Sequence, residues 1–301
     1  MSLPTTETVS AGLHIDARPT LDAAAFLLDG QAAAIEAVRL VAPAISNGAR
    51  TMAQAIRAGH SLHYAAAGSS GLMALADASE LRGTFGIPQE NIQIHMAGGV
   101  PVDGHMPGDT EDDEAAVVAI AEQIFDGDVV IVLTASGTTP FALEVARAAQ
   151  AKGAVVIGIA NNPDTPLLAL ADEPICLSTP SEVVAGSTRL AAGTAQKAAL
   201  NAMSTLMGIA LGHVYNGEMV NVVADNTKLV RRAAGIVCRI TGVSPDAAKA
   251  ALAQTDGAVK RAVLVASGCA PEEASALLSR NFDQLGACLV LLSSNQTKMS
   301  D

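Results

Sequence analysis

Aromatic residues are scarce in this chain of 301 residues, which contains two tyrosines, five phenylalanines and no tryptophan. Hydrophobic residues nevertheless make up 50% of the chain, which excludes a disordered protein. A large core must therefore be built from alanine, valine, isoleucine, leucine and methionine. With so few rings, the stacking surfaces on which proteins bind single-stranded nucleic acid are not expected.

Positive charge is also in short supply, because 18 lysines and arginines face 30 aspartates and glutamates, for a net charge of −12. A surface that binds nucleic acid or an anionic membrane needs a basic stripe, and the sequence shows none. We therefore predict neither kind of partner. If the protein binds an anion, backbone N–H groups and hydroxyls must donate many of the hydrogen bonds to it.

Cysteine pairs, a secretion signal and long apolar runs are absent from the sequence. The four cysteines (Cys176, Cys238, Cys269 and Cys288) are scattered without C-x-x-C spacing, which is typical of small buried side chains in a reducing compartment. The first seven residues carry neither the basic nor the apolar region of a signal peptide. No stretch of about 18 apolar residues is free of charges and turn-forming residues. We predict a soluble, cytoplasmic protein without a membrane span.

Short apolar runs alternate with helical patterns through the middle of the chain. The runs 128–134 (DVVIVLT) and 153–160 (GAVVIGIA) are typical of strands buried on both faces. Weaker strand signals lie at 61–67, 91–96 and 173–177. Helices are predicted over 20–58, with breaks at Asp29-Gly30 and Pro43, and over 72–82, 110–125, 141–151 and 188–211. Repeated strand–turn–helix units predict an α/β fold, a doubly wound parallel sheet with helices on both faces.

The pattern of apolar and helix-forming residues changes twice along the chain, which predicts three segments. Residues 1–58 form an amino-terminal helical segment, 59–234 the sheet domain, and 235–301 a small helical subdomain. In the last segment, Pro245 and Pro271 each stand at the first position of a predicted helix, with acidic residues following.

Two turns rich in hydroxyl groups follow predicted strands and open predicted helices. Ligands of open parallel sheets bind at the carboxyl ends of the strands, and helix amino termini attract phosphate groups. One such turn is explained by the ordinary preference of helix caps for serine and threonine, but two in one sheet favour an anion site. The turns contain Ser69, Ser70 and Gly71, and Ser136, Gly137, Thr138 and Thr139.

Several familiar catalytic motifs are missing. The chain has no G-x-G-x-x-G, no G-x-x-x-x-G-K-[ST], no H-E-x-x-H and no G-x-S-x-G. We therefore expect no dinucleotide, no nucleoside triphosphate and no metal. His60 and His63 flank the start of a strand and are interpreted as surface or core groups.

Two glutamates are candidates for proton transfer. Glu111 opens an acidic cluster at a predicted helix start, where acid is favourable for structural reasons alone. Glu80 stands in a mostly apolar stretch and needs a partner or a function if it is buried. On a continuous helix, Ser69 and Glu80 would be about 16 Å apart. Either the substrate extends along that helix, or Glu80 serves a site completed by a second subunit, which we favour.

Residues 186–197 (GSTRLAAGTAQK) closely resemble the signature of the N-acetylmuramic acid 6-phosphate etherases. Segments that fit the same family, in the same order, lie at 67–71, 77–80, 111–113, 135–137, 200–205, 217–222 and 226–229. The resemblance covers nearly the whole chain. It implies a sugar isomerase (SIS) domain, which the family shares with glucokinase regulatory proteins.

The resemblance also implies a reaction, in which the D-lactyl ether of N-acetylmuramic acid 6-phosphate is cleaved by elimination and then hydration, without metal or nucleotide. The family's two catalytic glutamates fall on Glu80, as acid towards lactate, and Glu111, as base. The assignment of the two roles is open to exchange. The residues expected to bind the phosphosugar are Ser69, Ser70, Gly71, Ser136, Gly137, Thr138, Thr139, Ser187, Arg189 and Lys197. A homodimer with its site near the subunit interface is expected.

The sequence departs from the family pattern at positions that are usually cationic. Leu72 and Thr138 replace arginines and Ala191 replaces a lysine. Such losses are expected for a site whose ligand carries fewer negative charges. Two other functions therefore stay open: a regulatory protein that binds a phosphosugar without turnover, and an isomerase or lyase acting on a different sugar phosphate.

Overall fold

The structure is a computed structural model that describes residues 5–8, 14–106, 110–112 and 116–298. Five strands form one sheet, and all neighbouring pairs are parallel. The strands are β1 (Leu62–Ala66), β2 (Ile92–Met96), β3 (Val129–Thr134), β4 (Val155–Ala160) and β5 (Glu173–Cys176). Their order is β2–β1–β3–β4–β5. The next strand in the chain, β2, therefore pairs with one edge of β1, and β3 pairs with the other edge. This confirms the predicted α/β class and places a topological switch point between β1 and β3.

Helices cover both faces of the sheet. The first seven are α1 (Thr20–Leu40), α2 (Ala42–Ala58), α3 (Gly68–Phe85), α4 (Val117–Ala121), α5 (Pro140–Ala151), α6 (Pro166–Leu170) and α7 (Ala191–Ala210). Gly48 of α2 lies against Ile157 of β4, whereas Phe141 of α5 shares a buried cluster with Val156, the neighbour of Ile157. Successive strand residues point to opposite faces, so α2 and α5 pack on opposite sides. No helix in the described ranges has the length and hydrophobicity needed to cross a bilayer.

Two helical predictions are wrong in part. No break occurs at Asp29-Gly30, because α1 runs straight through it; Gly30 lies beside Val183, whose Cγ2 atom would be 3.2 Å from an added Cβ. The helix predicted over 110–125 is replaced, in the described part of that range, by a 3-10 turn (Thr110–Asp112) and the short α4; residues 113–115 lie outside the described residues. Near its expected end, the Asp128 carboxylate accepts the Phe125 N–H at 2.9 Å and holds the chain in a turn.

The described residues divide into two compact units, one from the ranges 1–78 and 90–205 and the other from 79–89 and 206–301. The division falls within α3 and α7. The second unit contains a short antiparallel pair, β6 (Val214–Tyr215) and β7 (Glu218–Met219), followed by α8 (Thr227–Thr241), α9 (Pro245–Gln254), α10 (Val259–Ala266), α11 (Pro271–Arg280) and α12 (Leu285–Lys298). Pro245 and Pro271 open α9 and α11, as predicted. The three-segment division stays a prediction.

The four cysteines carry free thiols. Cys269 and Cys288 are buried, as predicted, and burial raises the pKa of both thiols. Cys176 and Cys238 are only half-buried, so the prediction is wrong for these two. Cys176 ends β5, which lies at the edge of the sheet.

A buried polar relay joins β1, β2 and Asp128, the residue that precedes β3. His63 Nε2 lies 3.2 Å from Asp128 Oδ2, and His63 Nδ1 lies 2.9 Å from His95 Nε2. A carboxylate only accepts, so His63 donates from Nε2 and its Nδ1 accepts the proton of His95 Nε2. Within the described residues, no group of three or more His, Cys, Asp or Glu side chains could hold a metal ion. The relay therefore bonds β2 to β1, and β1 to the residue that precedes β3.

Burial and the neighbouring His63 lower the pKa of His95 from 6.5 to about 4, and burial lowers that of His63 in spite of Asp128. In this pH range both imidazoles bind protons more readily in the unfolded chain than in the folded one. The free energy of unfolding therefore decreases as pH falls from about 6.5 towards 4. His95 alone accounts for up to about 3 kcal/mol of this decrease.

We expect His95→Gln to flatten the pH dependence of the free energy of unfolding, measured by urea titration. The exposed His105 supplies the control, because His105→Gln should keep the parental profile. An unchanged slope in His95→Gln would contradict the relay's role.

Candidate active site

A cavity of about 150 Å³ lies where β1 and β3 end, at the switch point of the sheet. It is lined by Ala67, Ser69 and Ser70 after β1, by Thr134, Ala135, Ser136 and Thr139 at the end of β3, and by Glu7, Glu111 and Thr188. The two hydroxyl turns picked out in the sequence thus share one cavity. Gly71, Gly137, Thr138, Ser187, Arg189 and Lys197 are not among its lining residues.

The first turn brings Glu111 to the start of α3. Gly68 adopts a positive φ of 54°, and a Cβ at this position would collide with the Glu111 carboxylate. Only glycine therefore lets the carboxylate approach so closely. A helix amino terminus favours negative charge, which gives Glu111 a structural reason for its place as well as a chemical one. Asp113 and Glu114, the last members of the acidic cluster, lie outside the described residues.

The second turn holds its hydroxyls in a hydrogen-bonded network. Thr134 Oγ1 lies 2.7 Å from Thr139 Oγ1 and 3.2 Å from Ser136 Oγ. The backbone N–H of Thr138 donates to Ser136 Oγ at 3.2 Å. Gly137 has a φ of 75°, and the Thr165 side chain occupies the space that a Cβ would need. The turn is thereby shaped before any ligand arrives.

The signature residues at the start of α7 serve the protein's own structure. The buried Glu182 carboxylate accepts the N–H groups of Ala191 and Ala192, both at 2.9 Å. This helix amino terminus is therefore already occupied by an anion. Lys197 donates to Asn201 Oδ1 at 2.6 Å and lies 3.8 Å from Asp77 Oδ1.

Glu80 lies on α3 in the second unit, and its side chain is exposed. Because Glu80 is not buried, its carboxylate does not need a partner inside the protein. The buried carboxylate of α3 is Asp77, at 3% exposure, which accepts hydrogen bonds from Tyr64 Oη and Ser204 Oγ, both at 3.1 Å. Burial and Asp77 raise the pKa of Tyr64 well above its usual value, which keeps it a donor. Because α3 is continuous, Ser69 and Glu80 are about 16 Å apart along it.

Three polar residues of the cavity were missed from the sequence, in addition to Ala67 and Ala135. Thr134 belongs to the run that predicts β3, and Thr188 belongs to the family signature, so both had a signal. Glu7 had none, because it lies far from both turns in the sequence. The lining set, all in described parts of the chain, contains two glutamates and neither lysine nor arginine. Leu72, Thr138 and Ala191, the positions at which the sequence was expected to depart from the family's cations, lie outside that set.

Comparison with known proteins identifies close sequence relatives. The SIS domain family matches residues 28–161. N-acetylmuramic acid 6-phosphate etherase of Deinococcus radiodurans is 42% identical over 83% of each chain. The enzyme of the same name from Symbiobacterium thermophilum is 38% identical over 84% of each chain, and that of Yersinia pestis is 37% identical over 93% of this chain and 96% of its own.

Solved structures agree on the fold. A candidate phosphosugar isomerase of Bacteroides fragilis superposes with a TM-score of 0.51 at 19% identity, over 66% of this chain and 95% of that one. A candidate sugar-phosphate isomerase of Listeria monocytogenes gives 0.50 at 19%, over 64% and 90%. Both likenesses support the fold, and the sequence relatives decide the family. With 37–42% identity over more than four fifths of its length, the chain belongs to the N-acetylmuramic acid 6-phosphate etherase family of carbon–oxygen lyases, built on a SIS domain.

Proposed function

We propose that this protein cleaves the D-lactyl ether of N-acetylmuramic acid 6-phosphate to N-acetylglucosamine 6-phosphate and D-lactate in the cytoplasm. The observation that carries the proposal is the cavity at the switch point, where two hydroxyl turns meet and Glu111 lies beside them. The relatives named for this reaction support the choice of substrate.

The phosphate is held by neutral groups. Ser69 and Ser70 lie at the start of α3, and Ser136 and Thr139 lie just before α5. Their hydroxyls, with the amino-terminal N–H groups of both helices, provide donors for a phosphate without a lysine or arginine in the cavity. Thr138, Ser187, Arg189 and Lys197 remain binding residues predicted from sequence alone, because they lie outside the cavity lining.

The chemistry needs one base and one acid. Glu111 removes the C2 proton of the open-chain sugar, which is acidic because it lies next to the C1 aldehyde. The electron pair is first held by the aldehyde as an enolate, and it then forms the C2–C3 double bond as the C3–O bond breaks. Glu80 gives its proton to the departing oxygen, which leaves as the hydroxyl of D-lactate. Water then adds its oxygen to C3 and a proton returns to C2, which completes N-acetylglucosamine 6-phosphate.

The position of Glu80 favours a site shared by two copies of the chain. Glu80 lies three turns of helix from the hydroxyls of its own first turn, and its exposed side chain is accessible to a neighbour. We propose a homodimer in which the Glu80 of one copy completes the site that contains the Glu111 of the other.

The first test follows lactate and deuterium. Incubation with N-acetylmuramic acid 6-phosphate in D₂O should release D-lactate and place deuterium at C2, as measured by NMR. Glu111→Gln should slow C2 exchange by at least about 100-fold, whereas Glu80→Gln should keep exchange and lose lactate release. Glu90→Gln, at an exposed glutamate away from the cavity, should match the parent.

Each alternative has its own signature in that assay. Isomerised sugar without lactate would identify an isomerase, and binding without lactate or exchange would identify a regulatory protein. Exchange that persists in Glu111→Gln would show that another group is the base.

The second test asks whether the two glutamates come from different copies. Glu80→Gln and Glu111→Gln proteins, each inactive alone, are mixed, dissociated and reassociated. If the site is shared, half of the random dimers contain one intact site, and the mixture recovers about a quarter of the parental kcat. No recovery in a mixture that has demonstrably exchanged subunits would refute the shared site.

A further inference from the structure

We propose that Glu7 is a specificity residue of the same site, whose carboxylate accepts hydrogen bonds from the sugar part of the ligand and disfavours anions that lack a sugar. The inference rests on the proposed function only in its substrate class, a sugar phosphate. It starts from the one carboxylate of the cavity that neither the sequence patterns nor the family signature indicated.

Glu7 belongs to a 3-10 turn (Thr5–Glu7) that a single buried amide ties to the second hydroxyl turn. Asn162 Oδ1 accepts the Thr5 N–H at 2.8 Å, and Asn162 Nδ2 lies 3.2 Å from Thr6 Oγ1 and 2.8 Å from the Ala135 carbonyl. Both Thr6 and Asn162 are buried. Ala135 also lines the cavity, so the amide links the position of Glu7 to the proposed phosphate site.

A second anchor comes from the loop before α7. The Gly186 N–H donates to the Thr6 carbonyl at 3.0 Å, and Thr8 Oγ1 lies 2.7 Å from Ser181 Oγ. Gly186 has a φ of 72°, and an added Cβ would lie 3.0 Å from Glu7 Oε2. The turn is thus bonded on two sides, which fixes the site of Glu7 although its side chain is exposed.

The Glu7 carboxylate has no structural partner among the described residues, where no hydrogen bond or ion pair involves its oxygens. A carboxylate accepts hydrogen bonds and repels other anions. Hydroxyl groups and the amide N–H of an amino sugar are several neutral donors, whereas the dianion of inorganic phosphate carries two negative charges and a single O–H. Glu7 therefore favours a ligand that brings donors alongside its phosphate, and opposes the entry of a bare anion. This arrangement supplies selectivity in a cavity whose other polar groups are mainly hydroxyls.

Binding measurements with two ligands separate this role from a structural one. Calorimetry is run with N-acetylglucosamine 6-phosphate and with inorganic phosphate, on the parent, Glu7→Ala and Glu7→Gln. Loss of a hydrogen bond to a charged acceptor should weaken sugar-phosphate binding of Glu7→Ala by about 10- to 100-fold. Glu7→Gln, which keeps one acceptor oxygen, should fall between. Affinity for inorganic phosphate should stay or rise. Glu36→Gln, at an exposed glutamate of α1 paired with Arg39, should behave as the parent.

Kinetics provide the second readout. In the D-lactate assay, Glu7→Ala should raise KM by a factor similar to the loss of affinity, with kcat within about two-fold of the parent. Equal sugar-phosphate affinity in Glu7→Ala and the parent would overturn the inference. An equal loss for both ligands would do so too, because it would indicate a purely structural role, and so would a parent that binds no sugar phosphate. Selective binding without lactate release would refute the proposed reaction alone and leave the role of Glu7 standing.

Discussion

The pairing of β1 with β3 is the constraint on which the site depends. Ala66 lies opposite Leu133, so the two strands end side by side and release their hydroxyl turns at the same edge of the sheet. A shift of one residue in this register would turn the buried side chains of one strand to the other face, which the core on both sides forbids. The same packing that stabilises the sheet therefore fixes the spacing of the proposed donors.

Acidic composition and the proposed anionic ligand are compatible, because the cavity presents oriented backbone and hydroxyl dipoles. Such groups offer partial positive charge that adds nothing to the net charge of the chain. The amino termini of the helices also differ in what lies beside them. Glu182 occupies the start of α7, whereas the starts of α3 and α5 border the cavity. A ligand that enters the cavity meets the start of α5 and the start of α3, beside which Glu111 lies.

Local patterns in the sequence were enough to predict the sheet and both hydroxyl turns, because β-branched runs and cap residues act within a few positions. Longer-range effects were beyond those patterns. Gly30 of the unbroken α1 lies beside Val183, which is distant in the sequence, and Glu80 is exposed although it stands in a mostly apolar stretch. Glu7 reaches the cavity through contacts such as the bond from Thr5 to Asn162, which spans 157 residues. No periodicity or motif in a single sequence carries such information.

The amide of Asn162 has a consequence for the order in which the protein takes shape. During synthesis the turn that carries Glu7 leaves the ribosome long before Asn162 and Gly186, the groups that hold it. Contacts of such large sequence separation form only after the intervening chain has been ordered. The sheet and its two hydroxyl turns can fold while the turn that carries Glu7 is still unattached. A chain arrested before Asn162 lacks both groups that hold the turn, so its cavity has no fixed Glu7.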